Sequence, residues 1–304
     1  MSCNFDLRTR DMSKAARILL SKDRLDGAIS FSTVATVLER FEHFKRFAKE
    51  KGVARFERVS SELVHSYAEH LKERNLSPAY AANMLSAVNS VMSRAHVHNG
   101  TKWIPVTGRQ TNLQRRKRTR TSETVTREQS SEAIEQLTSR TAAIAGLARE
   151  LGLRSKEASL INAKKALVEA TEKSLVSIEA GTKGGRYREI SITNSRQIEA
   201  LRSAAEAQSD DHSLVPSDQS WKQFREGELR EGRELLKKNG VAGYHQLRAA
   251  YAAERYHELT GFAAPVNGGK IIDKDTDLVS RLQISNELGH GRAEVLNAYV
   301  GGKT

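Results

Sequence analysis

Six side chains could do chemistry together: Arg154, Lys183, His245, Arg248, His290 and Tyr299. Phosphoryl transfer is the chemistry such a set suits. Displacement at a phosphodiester builds negative charge on equatorial oxygens, and fixed guanidinium groups offset it bidentately, better than lysine point charges. A phenol, with a reference pKa near ~10, needs adjacent cations or a base to attack at neutral pH. Expelling an alkoxide needs a proton donor in line, which a lysine on a movable hairpin can supply. Singly, each residue has a plainer explanation. Arg154-x-x-Glu157 has the spacing of a surface i,i+3 ion pair. Lys183 sits in a glycine turn, His245 and Arg248 share a helix face, His290 follows Leu288-Gly289, and Tyr299 can simply pack.

Order along the chain makes the set specific. The passages LGLRSKEASLI (151–161), TKGGR (182–186), YHQLR (244–248) and LGH (288–290), then Tyr299 nine residues after His290, resemble the tyrosine recombinase family. That family includes phage integrases and chromosome-dimer-resolving recombinases. The resemblance covers 126–304 in motif order, and the helices of 31–95 resemble the family's N-terminal core-binding domain. It implies that Arg154 and Arg248 hold the non-bridging oxygens of a scissile phosphate and that Lys183 protonates the leaving 5′ oxygen. His245 opens the family's His-x-x-Arg motif and is a candidate proton acceptor. His290 stands at the family's His/Trp position, which hydrogen-bonds the phosphate, and Tyr299 matches the nucleophile that forms a 3′-phosphotyrosine. Glu157 is implied to orient Arg154 rather than to catalyse.

The same resemblance implies double-stranded DNA with specific recombination sites as partner, bound by a homotetramer that exchanges strands through a Holliday junction. Off DNA a monomer or weak oligomer is expected, with a bacterial or phage origin. A covalent phosphotyrosine keeps the bond energy, so no ATP, cofactor or metal is expected. Two rivals keep parts of this reading: a type IB topoisomerase that relaxes supercoils as a monomer, and a catalytically degenerate DNA-binding regulator. The two-domain organisation argues against the first and the complete catalytic set against the second. Only VGGKT follows Tyr299, whereas many relatives carry a further C-terminal helix that docks on the neighbouring protomer. That puts this mode of coupling in doubt.

The elements that must position these residues are mostly helical. Val34, Val37, Leu38, Phe41, Phe44 and Ala48 make one apolar helix face ending near Gly52. Ser60 or Ser61 can cap a helix with the stripe Leu63, Tyr67 and Leu71, and Ser77-Pro78 starts another carrying Ala81, Leu85, Val88 and Met92. A weaker helix lies around 12–20. The box Thr126-x-x-Gln129 opens a second region, with helices expected over 127–138, 141–151, 196–207, 222–238, 244–259 and 292–299. Leu175–Ile178 and Tyr187–Ile192 flank Thr182-Lys183-Gly184-Gly185 as a hairpin. The expected fold is therefore mainly α with a small antiparallel sheet, in a two-domain tyrosine recombinase architecture. A helical core-binding (SAM-like) DNA-binding domain would occupy 1–105, a basic linker 106–125, and the mixed catalytic domain 126–304.

Charge agrees with a polyanionic partner. Net charge is +12; residues 1–120 hold 23 basic and 11 acidic side chains and residues 121–304 hold 26 of each, so the whole excess lies in the first part. Arg109, Arg115, Arg116, Lys117, Arg118 and Arg120 run without an intervening acid and read as a linker on a DNA backbone. The single cysteine, Cys3, excludes an internal disulfide and a multi-cysteine zinc site. No apolar leader or run of 18 apolar residues is present, so a cytoplasmic protein, nucleoid-associated when on DNA, is expected. Asp273, Asp275 and Asp277 lack the glycine and glutamate of a calcium loop and read as a charged loop. The segments 205–240 and 261–280 have no assigned role.

Overall fold

The computed structural model describes residues 3–113, 119–182 and 184–302. It divides into two compact units, residues 1–117 and 118–304.

The first unit is built from α1 (Met12–Leu25), α2 (Phe31–Glu50), α3 (Ser61–Glu73) and α4 (Pro78–His98). Each start is set by a polar cap: Asp11, Ser30, Ser60 and Ser77 accept backbone N–H groups of the first turn, and Pro78 follows Ser77 at the first helical position. The weak helix expected at 12–20 runs the full length of α1. Phe41, Phe44, Phe56 and Tyr67 fill the core, with the Phe44 and Tyr67 rings 5.2 Å apart and edge-on. On α3 Val64 is buried as well, while Leu63 is partly buried against the same core. Val106 and Leu113 are buried against this unit, so 106–113, expected as linker, packs here. Asn89 ties that margin down: it donates to the Val106 carbonyl and accepts from the indole of Trp103.

The second unit holds α5 (Arg127–Glu135), α6 (Ser139–Glu150), α7 (Ser155–Leu160), α8 (Ala163–Lys173), β1 (Leu175–Ile178), β2 (Arg188–Ser191), α9 (Ser195–Gln208), α10 (Trp221–Glu226), α11 (Glu228–Lys238), α12 (Tyr244–Thr260), α13 (Lys274–Glu287) and α14 (Asn297–Val300). The strands pair antiparallel, Leu175 opposite Ser191 and Ile178 opposite Arg188. The capping box of Thr126 and Gln129 is formed. Mainly helical with one small hairpin, the chain has the fold class its sequence predicts.

Four features differ from expectation. The helix expected at 222–238 is two, because Gly227 leaves helical geometry at φ −98°, ψ −112°. The 205–240 segment is an integral part of the core, contributing Leu214, Phe224, Leu229 and Leu236. Helices α7 and α8 were not expected: α7 is too short to show a period, and α8 buries alanines, which carry little apolar signal. The Asp273–Asp277 run is not a charged loop. Asp273 caps α13 through the N–H groups of Asp275 and Thr276, and Asp277 is buried in the first turn, paired with Arg281 at 2.6 Å. Alternating acids hid a helix start because its inner face is polar. No helix among the described residues is long and apolar enough to cross a membrane.

Candidate active site

Arg248 lies one turn into α12 on its inward face and is only 1% exposed. A buried guanidinium is costly unless its donors are met. One terminal nitrogen donates to the Gly152 carbonyl, the other to the Leu288 carbonyl at 2.6 Å, and Nε is 3.4 Å from the phenolic oxygen of Tyr299. Gly152 ends α6 at φ +63°, and a Cβ there would come within 2.5 Å of the Tyr251 ring. Glycine is what lets this carbonyl face Arg248.

Arg154 precedes α7, whose third residue, Glu157, is fully buried. One Glu157 oxygen accepts from the Arg154 guanidinium at 2.5 Å and the other from the Arg154 backbone N–H at 2.8 Å. The spacing that alone would suit a surface pair thus has its carboxylate buried and its guanidinium half-buried. Arg188, on β2, adds a two-pronged grip on the same carboxylate at 3.0 and 2.7 Å and donates from Nε to the Glu287 carbonyl. Arg248 stands 3.8 Å away. Burial pushes the Glu157 carboxyl up, but the hydrogen bonds and charge of Arg188, with those of Arg154, outweigh it and hold it below the usual range.

The Leu288-Gly289-His290 passage is a helix stop. Gly289, at φ +69°, donates to the Asn286 carbonyl and His290 N–H donates to the Ser285 carbonyl at 2.8 Å, closing α13 and turning the imidazole inward. His290 Nε2 lies 3.1 Å from the Tyr299 hydroxyl, 3.4 Å from Arg248 and 3.5 Å from Arg154. Guanidinium groups only donate, so Nε2 is assigned as the acceptor and Nδ1 as the protonated nitrogen. Burial, then the charges of Arg248, Arg154 and Arg188, push the His290 pKa down to about 4. In the DNA-free protein, NMR of the imidazole is expected to show a midpoint near about 4; titration at the ordinary ~6.5 would contradict the packing described. Because the folded value lies below the unfolded one, the stability this group contributes is full above the ordinary histidine value and is lost as pH falls through the folded value.

Tyr299, on α14, is 4% exposed. Its ring lies between the imidazoles of His290 and His245, at centroid distances of 5.7 and 5.3 Å, with the Arg248 guanidinium 5.6 Å from its centre. His245 is exposed on the first turn of α12. The structure therefore gathers Arg154, His245, Arg248, His290 and Tyr299 into one place. Lys183 lies outside the described residues, as do Arg115, Arg116, Lys117 and Arg118. Arg109 is exposed on the first unit. Arg120 turns its guanidinium back on the Ser122 and Glu123 carbonyls, at 2.8 and 3.0 Å, so a phosphate would have to displace those bonds.

Sequence reasoning passed over Arg188. The strand's period of two was the available signal: Arg188 shares its face with Ile190, and an arginine at a core-facing position asks for a buried carboxylate.

Three comparisons bear on this site. The integrase family model matches residues 112–254. A comparison with curated protein sequences finds no match. Among solved structures, the Tn1549 transposon integrase in complex with circular intermediate DNA is 13% identical with a TM-score of 0.61, covering 97% of each chain. The XerH site-specific recombinase bound to palindromic difH substrate is 15% identical with a TM-score of 0.61, over 98% of this chain and 83% of that one. A lambda integrase dimer bound to a COC′ core site is 13% identical with a TM-score of 0.54, over 82% of this chain and 89% of that one. At such identities the likeness is one of fold.

Proposed function

From a chain whose residues 112–254 match the integrase family model and whose fold is like that of the tyrosine recombinases, we propose a site-specific DNA recombinase with Tyr299 as its nucleophile. The observation that carries this reading is the convergence of Arg248 and His290 on the phenolic oxygen of Tyr299, with Arg154 meeting the same His290 nitrogen. An entering phosphodiester offers its non-bridging oxygens to the Arg154 and Arg248 donors that otherwise meet at His290 Nε2. Charge developing on those oxygens is offset by groups already fixed, Arg248 by two carbonyls and Arg154 by Glu157, so little reorganisation is needed during reaction. The phenolic oxygen forms a bond to phosphorus as the bond from phosphorus to the 5′ oxygen breaks. The phenolic proton passes to His290 Nε2, 3.1 Å away, in place of His245, the acceptor the family motif implies; the negative charge of the entering phosphate offsets the arginine charges that depress this imidazole in the DNA-free protein. Lys183, through its place in the family motif, supplies the proton taken up by the 5′ oxygen. Attack of a 5′ hydroxyl from a second site on the 3′-phosphotyrosine reverses these changes and joins new strands, through a Holliday junction held by a tetramer. The basic excess of the first 120 residues supplies the phosphate contacts.

The test starts from the DNA that the purified protein protects from nuclease. A copy of that site, nicked so that a short fragment diffuses away after cleavage, should accumulate a protein–DNA adduct, with mass spectrometry placing the phosphate on the Tyr299 peptide. No adduct, or one on another residue, overturns the assignment. Relaxed supercoils without exchange between two sites would keep the chemistry and replace recombination by topoisomerase action.

A further inference from the structure

Four residues cannot hold a helix by their own hydrogen bonds, so α14, which carries Tyr299, must be placed from outside. The group that does so is Arg281, on α13 and 1% exposed. One of its terminal nitrogens donates at 3.0 Å both to the side-chain oxygen of Asn297, where α14 begins, and to the carbonyl of Gly301, just past its end. Arg281 is itself anchored. Its Nε donates to Asp277 at 2.6 Å, the same Asp277 oxygen accepts from the Tyr256 hydroxyl at 2.8 Å, and the guanidinium lies 5.6 Å from the centre of the Tyr256 ring. On the opposite side the Asn297 carbonyl accepts the Arg120 N–H at 2.8 Å. At Gly301, φ +88°, a Cβ would meet the Val266 nitrogen at 2.8 Å.

We propose that Arg281 is a positioning residue for the nucleophile, gripping the first and last residues about Tyr299 so that the phenolic oxygen stays against His290 and Arg248. The inference rests on the reading of Tyr299 as nucleophile but adds a residue that touches neither DNA nor the reacting atoms. A guanidinium suits the task because its planar fork serves Asp277 and both ends of α14 together. A lysine keeps the charge opposite Asp277 but has no such fork. The spacing signal is Asp277 and Arg281 at i and i+4, in register with Ile284 and Leu288 on a buried face.

Two variants test this. Arg281→Lys preserves the buried charge, and Asn297→Ala removes one grip at a half-buried position, so it folds even where the first does not. Hydrogen exchange of the 297–301 amides should rise in both while exchange of α12 stays as in the wild type. With saturating nicked DNA, single-turnover adduct formation should slow by about 100-fold in Arg281→Lys and about tenfold in Asn297→Ala, as expected of a small misplacement of the reacting group. DNA affinity should not change. Because both changes act through one contact, the double variant should be no slower than Arg281→Lys; a merely structural role predicts lowered melting temperatures with an unchanged rate. Unchanged exchange overturns the proposal outright, and so does a wild-type rate in both variants. Raised exchange together with a wild type that forms no adduct sinks the nucleophile reading and leaves the hold on α14 intact.

Discussion

Tyr299→Phe is expected to abolish the covalent adduct while leaving DNA affinity within about twofold, since phosphate contacts come from cations and the phenol adds none. The substitution removes one oxygen and keeps the ring among His245, His290 and Arg248. What disappears is the atom proposed to bond phosphorus. Removal of a nucleophile elsewhere costs a factor on the order of 10⁶, leaving only what positioning and charge stabilisation achieve with water. Here water would give a nicked product without a protein–DNA bond, so the adduct itself should fall below detection. The lost hydroxyl leaves His290 Nε2 and Arg248 Nε one partner short, a cost of about 1 kcal/mol in the free protein. Denaturing gels on nicked DNA and fluorescence anisotropy on the same duplex check the two halves. An adduct that survives in Tyr299→Phe, at any rate, removes Tyr299 from the mechanism.

The gathering of Arg154, His245, Arg248, His290 and Tyr299 into one candidate site was legible because these residues sit at helix and turn signals that sequence can display. His245 and Arg248 ride the first turns of α12, where the helix period is clear. His290 follows a glycine that must stop a helix, and Arg154 precedes one whose third residue is its own partner. What stayed hidden are charges on inward faces. Arg188 looks like a surface strand residue until the phase of β2 is known, and Arg281 looks like a solvated helix residue until Asp277, Asn297 and Gly301 are seen around it. Both are silent to hydrophobic periodicity, which counts an arginine as exposed by default. The same blindness turned the capped start of α13 into an expected loop. Margins between domains were blurred for a related reason: 106–113 and 119–125 are mostly polar in sequence yet anchored by a few buried apolar residues, Val106, Leu113 and Val125, and by hydrogen bonds such as Asn89 to Val106 and Arg120 to Asn297.

Glu157→Gln should show how far the site depends on one buried negative charge. The carboxylate faces three guanidinium groups, Arg154, Arg188 and Arg248, at 2.5, 2.7 and 3.8 Å. An amide of the same shape removes the charge and turns an NH2 toward donors it cannot accept from. Breaking a buried pair from one side costs about 3–5 kcal/mol because the partner is left uncompensated. For a domain of this size each of those corresponds to roughly 2–4 °C in Tm, so the second unit should melt about 10 °C lower. The contrast is Glu199→Gln, whose partner Arg202 is as close at 2.5 Å, but both side chains are more than half exposed; its melting temperature should not move. Cleavage should fall as well in Glu157→Gln, because Arg154 loses the group that aims it, and the loss should persist at temperatures where the variant is fully folded. The acid side of the stability profile carries the same signature. Since Arg188 and Arg154 hold the Glu157 pKa below its ordinary value, the stability it contributes is present above the ordinary carboxylate range and is lost as pH falls through the folded value. The wild type should therefore lose its advantage over Glu157→Gln on acidification, and added salt should alter that advantage little, because the pair is out of reach of mobile ions. Equal melting temperatures for Glu157→Gln and the wild type at neutral pH would show that the backbone carbonyl partners of Arg188 and Arg248 hold them without the carboxylate's charge.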